Sequence, residues 1–155
     1  MKLSNNFENE ISGKVFISEE KIILKKKEKT LCDIPLNKIK LIGEYTTSGG
    51  PVNDDWFLYF MTSIKDEFHI PMYANGMQEL LIRLKDYFKP EIELNLQANA
   101  VWANRIIYPE NLVGKKIWNL EKLKPITIKE KLMSFIFLID PQKLVLTEYA
   151  ESVFK

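Results

Sequence analysis

The sequence predicts an α+β protein in which six or seven short antiparallel strands form a bent, barrel-like sandwich closed by one helix. Three observations predict it. Residues 12–71 alternate short apolar stretches with turn residues. Residues 76–88 carry apolar side chains at helical spacing. A chain of 155 residues, 46% hydrophobic and 28% charged, is large and apolar enough to bury a core. We expect a mixed, mainly helical extension, residues 90–155, to pack on residues 1–89 as one compact unit.

The strands are assigned from period-two alternation between turn signals. Six segments fit, at residues 13–18, 21–26, 30–35, 38–45, 55–62 and 67–71. In the fifth segment, Phe57 and Tyr59 alternate with Leu58 and Phe60, so both faces are apolar. A strand of this kind needs cover on both sides. We therefore predict that it is central, and that the C-terminal third covers one of its faces.

The clearest helix runs over residues 76–88, where one apolar stripe includes Leu80, Leu81, Leu84 and Phe88. Pro90 limits its continuation, because the residue before a proline is pushed out of helical geometry. We predict that the three leucines are buried. Leu81→Ala should then cost about 2 to 5 kcal/mol of stability.

The C-terminal third has weaker patterns. The segments considered are a strand at 91–96, a short helix at 97–107 through Val101, Trp102 and Ile106, and an ambiguous stretch at 115–119. The capping-box spacing of Thr127 and Glu130 predicts a helix over 128–138, while the β-rich run 134–139 is compatible with a buried strand. Thr147 is expected to cap a last helix.

Charge and length exclude several classes of partner. Twenty-two basic and 21 acidic residues give a net charge of +1, and only Arg83 and Arg105 are arginines, which argues against nucleic-acid binding. The N-terminus lacks the apolar core of a secretion signal, and the apolar run 132–139 is too short to span a bilayer. A single cysteine, Cys32, fits a reducing compartment. We expect a cytoplasmic location.

Few residues carry chemistry. His69 is the only histidine, and a structural role for it is favoured over pairing with a Cys32 nucleophile. The carboxylates considered for a divalent cation or a shared proton are Asp54, Asp55, Glu44 and Glu67. The sequence contains no glycine-rich phosphate loop, zinc-ligand spacing, nucleophile elbow or HExxH motif. It therefore predicts no cofactor, no metal site and no catalytic residue.

The opening strand Gly13-Lys14-Val15-Phe16-Ile17, the segment Asp33-Ile34-Pro35-Leu36-Asn37-Lys38-Ile39 and the helix at 76–88 resemble the pleckstrin-homology-like superfold, in particular small bacterial PH and GRAM-like domains. The resemblance covers about residues 11–89. It implies a binding module rather than an enzyme, with the helix plugging one end of the sandwich. Phosphoinositide-binding members carry basic residues around the first turn. Here that turn is Ser18-Glu19-Glu20, which would repel a phosphate.

The candidate binding site is the loop from Tyr45 to Asp54, which is longer than its two flanking strands require and too polar to add core. A second candidate is the basic cluster at residues 25–29. Its favoured interpretation is a solvated turn, and the alternative is contact with anionic lipid. The residues proposed for binding are Tyr45, Thr46, Thr47, Asn53, Asp54, Lys25, Lys26 and Lys27. Trp102 and Trp118 are expected to anchor the C-terminal segment in the core.

These observations predict a non-catalytic binding or adaptor protein that engages a protein or peptide through loops or a sheet edge. Two alternatives stay open, an immunity-type inhibitor of an enzyme and an enzyme of unrecognised family. A dominant acidic patch would favour the inhibitor. A deep pocket with convergent titratable groups would favour the enzyme.

Overall fold

The computed structural model describes residues 12–47, 54–88, 93–96, 101–122 and 142–155. These residues form nine strands and two α-helices. The strands are β1 (Lys14–Ser18), β2 (Lys21–Lys26), β3 (Lys29–Pro35), β4 (Leu41–Thr46), β5 (Trp56–Met61), β6 (Glu67–Pro71), β7 (Ala103–Tyr108), β8 (Trp118–Lys122) and β9 (Gln142–Leu146). The helices are α1 (Met77–Phe88) and α2 (Glu148–Ser152).

The strands form two antiparallel sheets and a hairpin. The first sheet has the order β1-β2-β3, the central sheet has the order β6-β5-β4-β7, and β8 pairs with β9. Every pairing between these strands is antiparallel. The α+β class is confirmed. The described strands do not close into a barrel.

Local turn chemistry explains the first two reversals. Glu19 and Glu20 both have positive φ, 49° and 58°, which is the geometry of a two-residue hairpin turn that matches strand twist. Lys27, with φ of 54°, reverses the chain between β2 and β3. The six strands predicted over residues 12–71 are confirmed, and β4 begins at Leu41 because residues 36–38 form a 3-10 turn.

The central sheet buries one face against the first sheet and α1. On this face, called the helix side, Ile42, Leu58 and Ile70 are fully buried in the larger core. Helix α1 adds Leu80 and Leu84, both essentially inaccessible to solvent. The predicted apolar stripe of α1 therefore packs into this core, but Leu81, which was predicted to be buried, is only partly buried.

The other face of the central sheet, called the hairpin side, is covered by the C-terminal part. Tyr59 and Met61 are buried there against Ile117 and Trp118, in a second core. Gly43 makes the close approach possible, because a Cβ at that position would lie 2.4 Å from Cδ1 of Ile117. The predictions that β5 is covered on both faces, and that the C-terminal third covers one of them, are thus confirmed.

The expectation of a mainly helical C-terminal extension is wrong for the described residues, which are mainly strands. The helix predicted at 97–107 is replaced by β7, because its residues complete the hydrogen bonding of β4 at the edge of the central sheet. Residues 93–96 form no strand. The alternatives at 128–138 and 134–139 lie outside the described residues.

The last helix is confirmed. Thr147 caps α2 by accepting a hydrogen bond from the backbone N–H of Ala150 at 3.2 Å, and its hydroxyl donates to the carbonyl of Lys116. Within the described ranges no helix has the length and apolarity needed to cross a bilayer. The division at residue 89 stays a prediction. Strand β7, from the second part, pairs with β4, from the first.

Candidate functional site

An open cavity of about 330 Å³ lies between the hairpin side of the central sheet and the β8–β9 hairpin. We call it the aromatic cavity. Its lining residues are Tyr45, Thr47, Glu67, His69, Trp102, Trp118, Leu144 and Leu146. Two strands of the sheet supply the polar groups, and the hairpin supplies most of the apolar wall. It is therefore a concave site with a few convergent polar groups.

The polar groups at the aromatic cavity form a chain of contacts that includes two hydrogen bonds. The hydroxyl of Tyr45 lies 2.9 Å from Nδ1 of His69, and the hydroxyl of Tyr59 donates to Oε2 of Glu67 at 2.7 Å. The other oxygen of Glu67 lies 3.6 Å from Nε2 of His69. A proton on Nε2 satisfies both contacts of the ring, since Nδ1 then accepts from Tyr45.

The hydroxyls of Tyr45 and Tyr59 are harder to ionise than those of free tyrosine. Desolvation, followed by the nearby charge of Glu67, raises the pKa of Tyr45 to about 12. Desolvation and the hydrogen bond to Glu67 raise the pKa of Tyr59 further. At neutral pH both hydroxyls are hydrogen-bond donors and neither is a base or nucleophile.

Stability should fall as pH rises from about 10 to 12. The pKa of Tyr45 is near 10 in the unfolded chain and about 12 in the folded protein, so the folded state holds more protons in this window. Unfolding then releases protons, and higher pH favours it. Tyr45→Phe should show a smaller decline. Urea midpoints at about pH 9 and about pH 11.5 measure the difference. An equal decline in both proteins would contradict the assignment.

The aromatic walls are held by packing and by one buried amide. The ring of Tyr45 stacks on Phe57 with centroids 4.9 Å apart, and Trp118 meets Tyr59 edge-on at 4.6 Å. Oδ1 of Asn104 accepts from the backbone N–H of Ile117 and of Trp118, at 2.6 and 2.9 Å. This pair of hydrogen bonds fixes the start of β8 against the sheet.

Among the described strands, β6 forms one edge of the central sheet. Its pairing with β5 determines which of its backbone N–H and C=O groups point away from the sheet. Met72 donates to Trp56 at one end and Thr62 donates to Asp66 at the other, so the residues of β6 in phase with these pairs bond to β5. The N–H and C=O of Glu67 and His69 then point outward. Among the described residues neither has a backbone partner.

A second cavity, of about 340 Å³, lies against the same edge, and we call it the edge cavity. Its lining residues are Ser12, Leu24, Lys26, Leu31, Cys32, Asp54, Phe57, Glu67, Phe68, His69 and Pro71. Glu67 and His69 line both cavities. The edge of β6 that has no partner among the described strands is therefore flanked by two open cavities.

The predicted loop residues are only partly brought together. Tyr45 and Thr47 line the aromatic cavity. Thr46 lies on the opposite side of β4, buried, where its hydroxyl donates to the carbonyl of Val101 at 2.7 Å. Asp54 lines the edge cavity and accepts from the hydroxyl of Ser12 at 2.6 Å. Asn53 lies outside the described residues.

The basic cluster is spread along a hairpin. Lys25 and Lys26 are exposed on β2, with Nζ of Lys25 lying 5.7 Å from the centroid of the Phe16 ring. Lys27 occupies the adjacent turn. Lys26 alone of the three lines the edge cavity, and none lines the aromatic cavity.

The other residues considered for catalysis or metal binding do not form a common site. Cys32 and His69 both line the edge cavity, but burial raises the pKa of the Cys32 thiol, which makes it a poor nucleophile. In the described part of the chain no three histidine, cysteine or acidic side chains gather closely enough to hold a metal ion. Glu44, considered with Asp54 and Asp55, is instead fully buried on the helix side.

Glu44 has a structural set of partners. Its carboxylate accepts from Nε of Arg105 at 2.7 Å and from Nε1 of Trp56 at 3.0 Å. The backbone N–H groups of Asn95 and Leu96 donate to it at 2.7 and 3.4 Å. Four donors thus compensate one buried charge and tie residues 93–96 to the sheet.

Sequence reasoning missed how Glu67, His69 and Trp102 combine with Tyr45. Period-two alternation already places Glu67 and His69 on one face of the sixth strand, and this was the available signal. Their meeting with Tyr45 depends on strand register, which the sequence pattern leaves open. Trp118 is buried in the second core, as expected for an anchor, and Trp102 is half-buried.

Comparison of the chain with protein-family models, with curated proteins and with solved structures gives no match in any of the three. The resemblance to the pleckstrin-homology-like superfold therefore stays a prediction.

Proposed function

We propose that this is a non-catalytic binding protein that takes up an extended segment of a protein or peptide along the edge of β6 that no described strand pairs with. The supporting observation is the pair of outward N–H and C=O groups on Glu67 and His69, which lie between the aromatic cavity and the edge cavity. An added strand forms backbone hydrogen bonds with such an edge, and its alternate side chains enter pockets on either side.

The composition of the site supports binding over catalysis. The two phenols are neutral donors at pH 7, and their raised pKa values make ionisation harder still. Both ring nitrogens of His69 already face protein groups, Tyr45 on one side and Glu67 on the other. These groups of the aromatic cavity therefore contact one another, and the thiol of Cys32 in the edge cavity is a poor nucleophile because burial raises its pKa.

A second candidate, acid–base catalysis, is favoured by the same chain of Tyr45, His69 and Glu67. A histidine between a hydroxyl and a carboxylate is an arrangement that general bases use. The proposed binding function fits better, because the 3.6 Å separation of His69 and Glu67 is too long for a strong orienting hydrogen bond.

The edge can be blocked without disturbing the β5–β6 ladder. His69→Pro removes one outward N–H, and Pro71, which has the same outward phase, shows that β6 accommodates proline. Peptides selected from a random display library should bind the wild-type protein and lose about fivefold in affinity on His69→Pro relative to His69→Ala, the value of one backbone hydrogen bond. Fluorescence anisotropy measures the affinities.

His69→Ala is the matched control, because it removes the same imidazole and keeps the N–H. If His69→Pro does not fold, hydrogen exchange of the wild-type protein replaces the variant. Bound peptide should then slow exchange of the amides of Glu67 and His69, which point outward. Selected peptides that leave both amides unprotected, or that bind both variants equally, would overturn the proposal.

A further inference from the structure

We propose that the aromatic cavity binds the cationic group of an arginine or lysine side chain carried by the segment that pairs with β6. This inference rests on the proposed function and adds the chemistry of the ligand. The charge of the cavity, its aromatic walls and the direction in which an added strand projects its side chains support it.

The charge of the aromatic cavity favours a cation. Among the described residues that line this cavity, Glu67 is the sole carboxylate, and none of them is a lysine or an arginine. A carboxylate in a site with low-dielectric walls attracts a cation and repels an anion. The hydroxyl of Tyr59 holds one oxygen of Glu67, and the carboxylate side chain remains half exposed. It therefore stays available to a ligand.

The aromatic walls of the cavity also favour a cation. Tyr45, Trp102 and Trp118 line the cavity beside Glu67. The faces of tyrosine and tryptophan rings attract cations through their quadrupoles, and tryptophan does so best. A planar guanidinium can also stack on such a face. A cage of rings with one carboxylate thus selects an organic cation over a neutral group of the same shape.

Trp102 is an aromatic wall residue that has room for a ligand. It is half-buried, and no hydrogen bond or ring contact pairs it with another described residue. Tyr45 and Trp118, by contrast, pack on neighbouring rings. A large aromatic side chain that lines a cavity without such partners offers its surface to a ligand.

The geometry of a strand added to β6 directs one of its side chains toward the aromatic cavity. The side chains of Tyr59 and His69 are cross-strand neighbours, which places His69 and Glu67 on the hairpin side of the sheet. A residue of an added strand in phase with them projects to the same side, where the aromatic cavity lies. Its two chain neighbours project toward Phe68, on the edge-cavity side. The ligand is therefore a basic residue whose two chain neighbours face the edge cavity.

The test uses two small probes, N-acetyl-arginine amide and N-acetyl-citrulline amide, which differ in the charge of one planar group. Indole N–H signals in nuclear magnetic resonance report binding. The signals of Trp102 and Trp118 should move on titration, and that of Trp56, which donates to Glu44 on the helix side, should not. We expect the arginine probe to bind at least about fivefold more tightly than the citrulline probe.

Glu67→Gln should bring the two probes within about twofold of each other, because it removes the charge and keeps an acceptor for Tyr59. Glu79→Gln, an exposed position on α1 outside both cavities, is the matched control and should leave the difference unchanged. Equal binding of both probes to the wild-type protein would overturn the inference.

A second arm replaces the basic residues of the selected peptides by citrulline. A matching loss of about fivefold supports the inference. Peptides that protect the Glu67 and His69 amides but tolerate citrulline would overturn it and leave the proposed function standing. An arginine probe that binds although no peptide pairs with β6 would overturn the proposed function, and with it the peptide as the source of the cation.

Discussion

Glu44→Leu should lower the free energy of unfolding by about 3 to 5 kcal/mol. The substitution leaves the guanidinium of Arg105 without its carboxylate in a position where that side chain is only 14% exposed. It also removes the acceptor of the Trp56 indole and of the Asn95 amide. An unpaired buried charge and orphaned donors are each costly, because water cannot replace the lost partner.

Urea unfolding of Glu44→Leu and of the double variant Glu44→Leu/Arg105→Leu separates the ion pair from the rest of the site. The double variant should recover part of the loss, since no buried charge is left unpaired. Glu110→Leu, at an exposed position, controls for replacing a carboxylate by leucine. A loss below about 1 kcal/mol for Glu44→Leu, comparable to that of an exposed pair, would contradict the buried network.

The role of Glu44 also shows where pattern reading reaches its limit. Its place between Ile42 and Thr46 on one face of an apolar strand signals a buried carboxylate, which requires a partner. Arg105 is 61 residues away in the chain. The two meet only because β7 pairs with β4, and that strand was predicted as a helix.

The first part of the fold was predictable because its signals are local. Period-two alternation and short turn sequences specify β1 to β6 within a few residues. The segment predicted as a helix, which contains β7, carries Val101, Trp102 and Ile106 at a spacing that also suits a helix. The open hydrogen-bonding edge of β4 decides in favour of the strand, and a one-dimensional pattern does not contain that information.

The candidate site was predictable at one end only. Loop chemistry singled out Tyr45 and Thr47, which do line the aromatic cavity. The opposite wall, Leu144 and Leu146, comes from β9 and lies about a hundred residues away along the chain. Tertiary packing of the hairpin on the sheet creates the cavity, so its full lining emerges only in the folded structure.

Leu80→Ala should lower the free energy of unfolding by about 2 to 5 kcal/mol. Leu80 is 1% exposed and lies in the larger core, where its removal leaves a cavity between α1 and the sheets. The sequence predicted this cost for Leu81, but Leu81 is half-buried at the margin of the stripe, so its truncation should cost less. The helical spacing locates the stripe, and the side chain at its centre bears the greatest loss.

Ile82→Ala is the matched control on the same helix, because Ile82 is 62% exposed and loses little burial on truncation. Its loss should stay within about 0.5 kcal/mol. Thermal and urea unfolding of the three variants should rank them in the order Leu80, Leu81, Ile82. A loss for Leu81→Ala equal to that for Leu80→Ala would show that α1 is rotated about its axis relative to this structure, since burial around a helix is what distinguishes the three positions.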